Sequence, residues 1–292
     1  MIRYSIHDIE KITGIKAHTI RIWEKRYGIV FPERTQTNIR YYCDEELKKI
    51  MNISTLNNNG YKISQIAIMS AEEINEKIIE ISASSSDYEI QINNLVVAML
   101  ELEEEKFEKT LSTGLIKLGF EKTFTHIIYP FLDKLGILWQ IGTINPAQEH
   151  FISNLIRQKL ILAIDGQNQT TDKNTSSFLL FLPEGELHEI GLLFCSYLLK
   201  KSGQRVVYLG QSVPLKDLVE IIKITHIDYL LTFFVKATPL ADIKSYIKRL
   251  AESIPDKTIY ITGQQLKNQN LDLPSNFKQL YDIESLKALL KD

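Results

Sequence analysis

The stretch Phe178–Gly191 offers the clearest opportunity for chemistry in this sequence. A short apolar run ends at Pro183, and His188 follows a small polar loop. This pattern predicts an imidazole at the carboxyl end of a buried strand, where open α/β sheets bind ligands. A neutral imidazole can ligate a metal through one nitrogen while the other donates to a carboxylate, for which Glu186 and Glu189 are both close enough. A histidine at such a junction can equally be a helix cap or a solvated side chain.

A second set of aromatic and ionisable residues lies earlier in the chain. Trp139 stands at the end of one predicted helix, and Glu149 and His150 lie early in the next. A tryptophan at a helix end is usually a core residue, and a Glu-His pair usually faces water. Together with His188, however, these residues supply aromatic, carboxylate and imidazole groups for a single flat ligand.

Strand and helix patterns alternate over residues 175–292, which predicts a parallel, doubly wound sheet of flavodoxin type. The region has no glycine-rich dinucleotide fingerprint and no phosphate loop. The predicted strands are Phe178–Leu182, Arg205–Leu209, Asp228–Val235, Thr258–Thr262 and Gln279–Asp282, and the predicted helices are His188–Lys201, Leu215–Lys223, Leu240–Glu252 and Ile283–Lys291.

Residues 88–166 repeat apolar side chains at helical spacing with short joints, which predicts a four-helix bundle. Pro130 is expected to mark a kink or a junction between two helices. The polar stretch Ser82–Asp87 predicts a break between this region and the front of the chain. The predicted helices are Tyr88–Leu102, Glu104–Leu118, Glu121–Gly142 and Pro146–Ala163.

The front module, residues 1–75, has a different character. Ser5–Gly14 and Ala17–Tyr27 predict two short helices joined by a turn, which is the helix-turn-helix pattern. Gly28–Tyr42 has apolar residues around a polar tip, as a two-stranded wing would, and Asp44 is predicted to cap the helix that follows. Residues 1–70 hold eleven Lys and Arg against seven Asp and Glu, a net charge of +4, which leaves −6 for the rest. A basic front on an acidic body predicts a module that binds a polyanion.

Cysteine usage and the distribution of apolar residues restrict the cellular compartment in which the protein is expected. Cys43 and Cys195 share no metal-ligand spacing, which fits a reducing compartment. No charged-then-apolar leader and no apolar run of membrane-spanning length occurs. We therefore expect a soluble, cytoplasmic protein.

The front module resembles the MerR winged helix-turn-helix. The resemblance rests on Thr19–Gly28, on the wing end Arg40–Tyr42 and on Asn59–Ile63, and it spans nearly all of the first 70 residues. It implies that the recognition helix and the wing contact double-stranded promoter DNA and that dimers read two half-sites. Trp23 and Tyr27 could pack inward or against the DNA backbone. The predicted DNA-binding residues are His18, Thr19, Arg21, Trp23, Arg26, Tyr27, Arg34, Thr35, Asn38, Arg40 and Tyr41.

The segment Pro183–Gly191 resembles the Asp-x-His-x-x-Gly motif of cobalamin-binding domains, with Glu186 where the aspartate usually stands. Tyr208–Pro214 also looks like the end of the second strand in these domains. The resemblance implies that His188 is the lower axial ligand of cobalt, with Glu186 or Glu189 as its charge partner.

The helical region before it is similar to light-sensing cobalamin regulators of the CarH/LitR type. In these, a Trp, a Glu and a His lie over the upper face of adenosylcobalamin, and Trp139, Glu149 and His150 stand at the corresponding positions. The predicted cofactor-binding residues are Trp139, Glu149, His150, Glu186, His188, Glu189, Gly191, Ser212, Thr232 and Gly263. The resemblance implies three domains, a DNA-binding domain at 1–75, a helical cap at 88–166 and a cobalamin-binding domain at 175–292.

Two positions depart from the cobalamin-binding pattern. Where these domains usually carry a serine motif after the third strand, this chain has Thr232, Phe233 and Phe234, and where they carry Gly-Gly after the fourth, it has Gly263 and Gln264. These positions normally line the slot for the displaced nucleotide tail. A bulky Phe233 or Gln264 is expected to narrow that slot.

The combined resemblance predicts a transcriptional regulator, expected to be a repressor, without catalytic residues. Adenosylcobalamin would promote a DNA-binding homo-oligomer, dimer or tetramer, and light would cleave the cobalt–carbon bond and dissolve it. Two other hypotheses remain open. The C-terminal domains could serve oligomerisation or partner binding without a cofactor, or the chain could be a corrinoid protein of methyl transfer.

Overall fold

The computed structural model describes residues 3–84, 88–140, 144–167, 175–267, 269 and 271–290, with the side chains of residues 82–84, 139 and 140 outside the described part. The chain divides into two compact units, Met1–Ile152 and Ser153–Asp292. The boundary between the units falls within one long helix, Pro146–Asp165. The division into three domains at 1–75, 88–166 and 175–292 stays a prediction.

The helix-turn-helix begins with α1, Ile6–Thr13, which has a cap at each end. The Ser5 hydroxyl accepts from the backbone N–H of Asp8 at 3.2 Å, and the Asp8 carboxylate accepts from the backbone N–H of Ser5 at 2.7 Å, which forms a capping box. Gly14 ends the helix with φ of 72°, a left-handed conformation that favours glycine. The recognition helix α2, Ala17–Ile22, continues into a π-helical turn, Trp23–Tyr27.

The wing is a two-stranded antiparallel ribbon, as the sequence predicts. It consists of β1, Glu33–Arg34, and β2, Arg40–Tyr41. It leads into α3, Asp44–Asn58, in which Asp44 is the first helical residue and Cys43 occupies the cap position. The expected capping role of Asp44 is therefore wrong. Its carboxylate instead accepts a hydrogen bond from the Tyr4 hydroxyl at 2.6 Å, because the chain start pairs with the wing end at Tyr42.

Two more helices complete the front of the chain. They are α4, Ile63–Ile66, and α5, Ala71–Ser84. The backbone of α5 thus stays helical through the first residues of the break that the sequence predicts at Ser82. The remainder of that predicted break, residues 85–87, lies outside the described residues.

The helical bundle of the first unit surrounds Leu95, Met99, Phe107 and Phe131, which are completely buried. Its helices are α6, Tyr88–Glu101, α7, Glu104–Leu118, α8, Phe120–Thr123, and α9, Tyr129–Gln140, and α10, Pro146–Asp165, follows.

Pro130 lies in the first turn of α9, at the junction between helical segments that the sequence predicts. A π-helical turn, Phe124–Ile128, joins α8 to α9, and the N–H of Tyr129 donates to the carbonyl of Phe124, five residues back. Proline lacks an N–H and its ring crowds the carbonyl four residues back, so the wider turn lets the helix continue past it.

The second unit contains a five-stranded parallel sheet. The strands are β3, Ser177–Pro183, β4, Arg205–Val213, β5, Tyr229–Phe233, β6, Thr258–Thr262, and β7, Phe277–Gln279, in the order β4-β3-β5-β6-β7. The intervening helices are α11, Ile190–Lys201, α12, Leu215–Ile224, α13, Leu240–Ser253, and α14, Ile283–Leu289. This is the doubly wound, flavodoxin-type order, and the predicted fold class is confirmed.

The two faces of the sheet carry different residues. Phe181 of β3 and Leu230 of β5 belong to a buried cluster with α12 and α13, which includes Leu218 and Ile247. Because successive strand residues point to opposite faces, Phe233 of β5 lies on the other face, against α11.

Two predicted boundaries are wrong at this end of the chain. Helix α11 begins at Ile190, so His188 lies in the preceding loop. Strand β7 covers Phe277–Gln279, ahead of the predicted Gln279–Asp282, because Phe277 is buried in the same cluster and pairs with Ile259. Among the described residues, no helix is long and apolar enough to cross a membrane.

Gly263 gives a test of the sheet's packing. It has φ of 125°, and a Cβ placed on it would lie 2.3 Å from the carbonyl oxygen of Phe234. Because backbone atoms must then move, we expect Gly263→Ala to lower the free energy of unfolding by about 3 kcal/mol or more. Urea unfolding followed by circular dichroism measures the change.

Gly136 of α9 supplies the matched control. A Cβ there would meet no atom of the described residues within 4 Å. Gly136→Ala should therefore stabilise the protein by up to about 1 kcal/mol through helix propensity. Equal effects of the two substitutions would contradict the close backbone packing at Gly263.

Candidate functional site

The centre of the site is a hydrogen-bonded pair in the loop between β3 and α11. The Nδ1 atom of His188 lies 2.6 Å from Oε1 of Glu186, and the same oxygen accepts the backbone N–H of His188 at 3.1 Å. The Glu186 side chain is only 7% exposed, whereas that of His188 is 58% exposed. With Nδ1–H donating to the carboxylate, Nε2 is the nitrogen that carries the lone pair for a metal.

The Glu186 carboxylate is fixed from its other side by the chain that follows β5. Its Oε2 accepts backbone N–H bonds from Val235 at 2.9 Å and Lys236 at 2.7 Å. Burial raises the pKa of Glu186, but the bonds from the His188 ring and from the backbone outweigh burial and lower this pKa to about 2. The carboxylate is therefore a permanent anion that orients the imidazole.

Glu189 has different partners. Its Oε1 accepts from Nε of Arg157 at 2.5 Å, and its Oε2 accepts from the Tyr208 hydroxyl at 2.9 Å. Burial, together with the adjacent Glu189 charge, raises the pKa of Tyr208. Of the two carboxylates that the sequence leaves open, Glu186 is the one paired with His188, and Glu189 stands at the start of α11.

Ser212 holds the loop in place from the end of β4. Its hydroxyl accepts the backbone N–H of Gly185 at 3.0 Å, and its own N–H donates to the carbonyl of Glu186 at 3.1 Å. It does so in a left-handed conformation with φ of 51°. The neighbouring Gln211 amide donates to the carbonyl of Leu187 at 2.8 Å. The end of β4 and the chain after β5 together clamp the loop that carries His188.

At the end of β5, one of the two places where the sequence resemblance puts the tail slot, the ring of Phe233 packs against the start of α11. A Cβ built on Gly191 would lie 2.7 Å from Cε1 of Phe233. Thr232 does not face this slot, because it pairs in register with Phe181 and so shares the opposite face. The Thr232 hydroxyl is buried there without a hydrogen-bond partner among the described residues.

The two residues after β6 are Gly263 and Gln264, and Gln264 does not narrow the slot as expected. Gly263 is required by the close approach of its backbone to Phe234. Gln264 begins a short 3-10 turn and is exposed. The narrowing that the sequence predicts is thus present at Phe233 and absent at Gln264.

The residues predicted for the upper face lie in the first unit. Glu149 and His150 are in the first turns of α10, with His150 Nδ1 at 3.2 Å from Oε2 of Glu149. The His150 side chain is largely exposed, and that of Glu149 is mostly covered. Trp139 is in the last turn of α9, and its side chain lies outside the described part of the structure.

The recognition helix presents several of the predicted DNA contacts to solvent. His18, Arg21 and Arg26 are exposed, and Thr19 and Tyr27 are partly exposed. The Arg26 guanidinium lies over the Tyr27 ring at 5.5 Å. Trp23 is only 4% exposed, so the structure places this indole in the core of the module instead of at a DNA surface.

One carboxylate, Glu24, ties the wing to the recognition helix. Arg40 donates to both of its oxygens, at 2.7 and 3.2 Å, and Arg34 donates at 3.0 Å. Burial raises the pKa of Glu24, but the two guanidinium groups lower it overall. Arg34 also donates to Asn38, at 2.8 Å. These arginines therefore position the wing, a role that charge counting in the sequence does not reveal.

The tip of the wing is a compact turn. The backbone N–H of Thr35 donates to the carbonyl of Ile39 at 2.9 Å, and Asn38 adopts a left-handed conformation with φ of 65°. Tyr41 of β2 donates to Glu33 across the ribbon and lies under the Arg3 guanidinium at 4.5 Å. Thr35 and Asn38 are exposed at this tip.

The donors of the loop suit part of a cobalamin and not all of it. His188, oriented by the buried anion of Glu186, has the chemistry of a single axial nitrogen ligand. The space beside Gly191 is taken by Phe233, one of the positions that the sequence resemblance assigns to the lining of the tail slot. His188 therefore has the donor chemistry to hold a corrinoid, and a nucleotide base placed beside Gly191 would have to displace the Phe233 ring.

Comparison with known families gives two matches. Residues 4–73 match the MerR HTH family regulatory protein, and residues 91–163 match the B12 binding domain. A curated relative is the HTH-type transcriptional repressor CarH of Myxococcus xanthus, 26% identical over 86% of this chain and 85% of the relative. Another is the HTH-type transcriptional repressor CarA of the same organism, 28% identical over 72% of this chain and 68% of the relative.

Among solved structures, the chain resembles the Methanosarcina barkeri monomethylamine corrinoid protein. The TM-score is 0.51 at 18% identity, and the match covers 74% of this chain and 99% of that one. At this identity the likeness concerns the fold alone.

The fold and these matches indicate the class of protein. Residues 4–73 are similar to MerR-type regulators and residues 91–163 to B12 binding domains, which together support a B12-regulated DNA-binding regulator. Within that class, the similarity over most of the chain supports a CarH-like regulator, as the sequence resemblance predicts.

The anchoring of Glu186 predicts a pH-dependent stability. Because its pKa in the folded protein is about 2, below that of an unfolded glutamate, its stabilisation is present above about pH 4.5 and is lost as the pH falls towards 2. We expect Glu186→Gln to lower the free energy of unfolding at pH 6 by on the order of 2 kcal/mol, and by less at pH 3. Urea unfolding at the two pH values measures this difference.

Glu184→Gln is the matched control, since Glu184 is exposed in the same loop. It should change stability little at either pH. If Glu186→Gln lowers the free energy of unfolding by the same amount at pH 6 and at pH 3, the buried anion is ruled out.

Proposed function

We propose that this protein is a transcriptional repressor whose DNA binding is controlled by a corrinoid cofactor, adenosylcobalamin in the first instance. The observation that carries the proposal is the His188–Glu186 pair, in which a buried anion holds an exposed imidazole at the carboxyl end of a parallel sheet. The MerR match at residues 4–73 supplies the output, and the B12 match at residues 91–163 supplies the cofactor class. The repressor role is proposed because the relatives CarH and CarA are transcriptional repressors.

In this proposal His188 would hold the cofactor's cobalt through a ring nitrogen, and Glu186 keeps the imidazole in the tautomer that would allow it. Ser212 and the backbone of Val235 and Lys236 keep the loop fixed, so little ordering is needed on binding. Trp139, Glu149 and His150 are assigned to the upper face by the sequence resemblance. The cobalt–carbon bond of an adenosyl form supplies the light-sensitive chemistry when that form is bound.

Control of DNA binding follows from linkage. A ligand that binds one assembly of the protein better than another shifts the population toward that assembly. An oligomer presents several helix-turn-helix modules to one promoter, and linked modules gain effective concentration over a single one. We propose that the adenosyl form favours a DNA-binding homo-oligomer, a dimer or tetramer, and that illumination reverses it.

A second candidate function is a repressor that works without a cofactor. The Phe233 ring against Gly191 favours it, because a nucleotide tail placed there would have to displace this ring. In this case the second unit would serve oligomerisation or partner binding, and His188 would not matter for DNA affinity.

A role in methyl transfer is the least supported. The likeness to the monomethylamine corrinoid protein concerns the fold alone, and the MerR-type front points to regulation. We propose a regulatory and not a catalytic protein.

Arg21 tests the DNA interface. It is exposed on the recognition helix, and we propose that it contacts a phosphate or a base edge. Arg21→Ala should weaken binding to a double-stranded fragment selected from a random pool by about tenfold and lower the slope of log affinity against log salt by about one. Fluorescence anisotropy at several salt concentrations measures both.

Lys248→Ala, on α13, removes the same charge from an exposed position of the second unit and is the control. It should leave both quantities unchanged. An identical response of the two variants would mean that net charge alone, and not the recognition helix, determines binding.

His188→Ala tests cofactor control. Wild-type protein saturated with adenosylcobalamin in darkness should show a changed visible spectrum, a larger mass by light scattering and tighter DNA binding, all reversed by illumination. His188→Ala should lose the spectral change and the ligand dependence of DNA binding. His226→Ala, an exposed histidine of the same unit, should behave as wild type.

The competing outcomes separate the candidates. A wild-type protein that stays colourless and binds DNA equally with and without the cofactor would refute cofactor control and support the cofactor-independent repressor. A wild-type protein that passes a methyl group to a partner methyltransferase would support the methyl-transfer role.

A further inference from the structure

The ring of Phe233 occupies the crevice between β5 and α11. A Cβ built on Gly191 would lie 2.7 Å from Cε1, 3.2 Å from Cδ1 and 3.4 Å from Cζ of this ring. Those distances are shorter than ordinary van der Waals contact, so the ring packs directly on the bare backbone of the helix. No ligand group can lie between Phe233 and Gly191 while the ring stays in this position.

The backbone on both sides of Phe233 is fixed. Phe233 pairs in register with Thr262, and the next N–H, of Phe234, donates to the carbonyl of Thr262 at 2.9 Å. The two N–H groups after that, of Val235 and Lys236, bind the Glu186 carboxylate. Because the backbone is fixed, the ring can leave the crevice only if the Phe233 side chain changes its rotamer. That change would break the contact between this half-buried ring and α11.

The same carboxylate connects the ring to His188. Glu186 binds the chain two and three residues after Phe233 and binds His188 through its other oxygen. The axial imidazole and the ring are thus parts of one clamp at the carboxyl ends of β3 and β5, which are neighbours in the sheet. A corrinoid held on His188 that sends a lower substituent into this crevice meets Phe233.

We propose that Phe233 selects the lower part of the ligand. The site takes corrinoids that lack a lower nucleotide base, of which cobinamide is the simplest, in preference to cobalamin, whose base must displace the ring. This inference rests on the proposed function, since it requires that His188 binds a corrinoid at all. It identifies Phe233 as a specificity-determining residue and names the class of corrinoid.

The test compares two ligands on the full-length protein. Aquocobinamide and aquocobalamin are titrated in darkness, and the visible absorbance change reports coordination by His188. Coordination of aquocobalamin by His188 also breaks the bond between cobalt and the ligand's own base, a cost that aquocobinamide does not have and that Phe233 does not change. Phe233→Ala should therefore tighten aquocobalamin binding about tenfold, the gain expected when no half-buried aromatic ring has to be displaced, and leave aquocobinamide binding unchanged.

Two further variants control for misfolding of Phe233→Ala and for a general effect of removing an aromatic ring. Phe233→Leu keeps an apolar side chain in the crevice and should give an intermediate ratio of affinities if Phe233→Ala does not fold. Tyr281→Ala removes an aromatic ring that is 72% exposed elsewhere in the unit and should keep the wild-type ratio.

Each outcome decides the inference. A ratio of the two affinities that Phe233→Ala leaves unchanged would overturn the role of Phe233 and leave the proposed function standing. Failure of wild type to bind either ligand would overturn the proposed function, and this inference with it. Only a wild-type preference for aquocobinamide that Phe233→Ala reduces, through tighter binding of aquocobalamin, supports it.

Discussion

The site depends on one buried anion, the carboxylate of Glu186. A buried carboxylate is stable only when hydrogen bonds replace its lost hydration, and this one accepts three backbone N–H bonds and one from the His188 ring. These bonds come from two separate segments, the loop after β3 and the chain after β5. The anion therefore joins two strand ends and sets the direction of the imidazole at the same time.

The other carboxylates have matching roles. Glu189, at the start of α11, binds Arg157 and Tyr208, which ties α10 and β4 to this helix. In the first unit Glu24 binds both wing arginines and so attaches the wing to the recognition helix. Glu189 and Glu24 thus position neighbouring elements, and we propose that side chains of those elements contact the cofactor or DNA.

The period of two in a β-strand decides which residue enters the slot. Thr232 and Phe233 are adjacent in sequence, but they lie on opposite faces of the sheet. Thr232 pairs with Phe181 and shares its face, whereas the ring of Phe233 meets Gly191. Thr232, which the sequence predicts as a cofactor residue, is thus in the core, and the neighbouring Phe233 is the residue that packs against Gly191.

Local patterns in the sequence determined much of this protein. The capping box at Ser5, the wing around its polar tip and the alternation of strands and helices are short-range properties, and each could be read from neighbouring residues. The loop with Glu186 and His188 was also identifiable, because its residues are contiguous.

Only the tertiary structure decided between Glu186 and Glu189 as the partner of His188, since that choice depends on Val235, Lys236, Arg157 and Tyr208, which are distant in sequence. It likewise decided that Phe233 packs against Gly191 whereas Gln264 is exposed, because strand register and the meeting of β5 with α11 determine which side chains share a crevice.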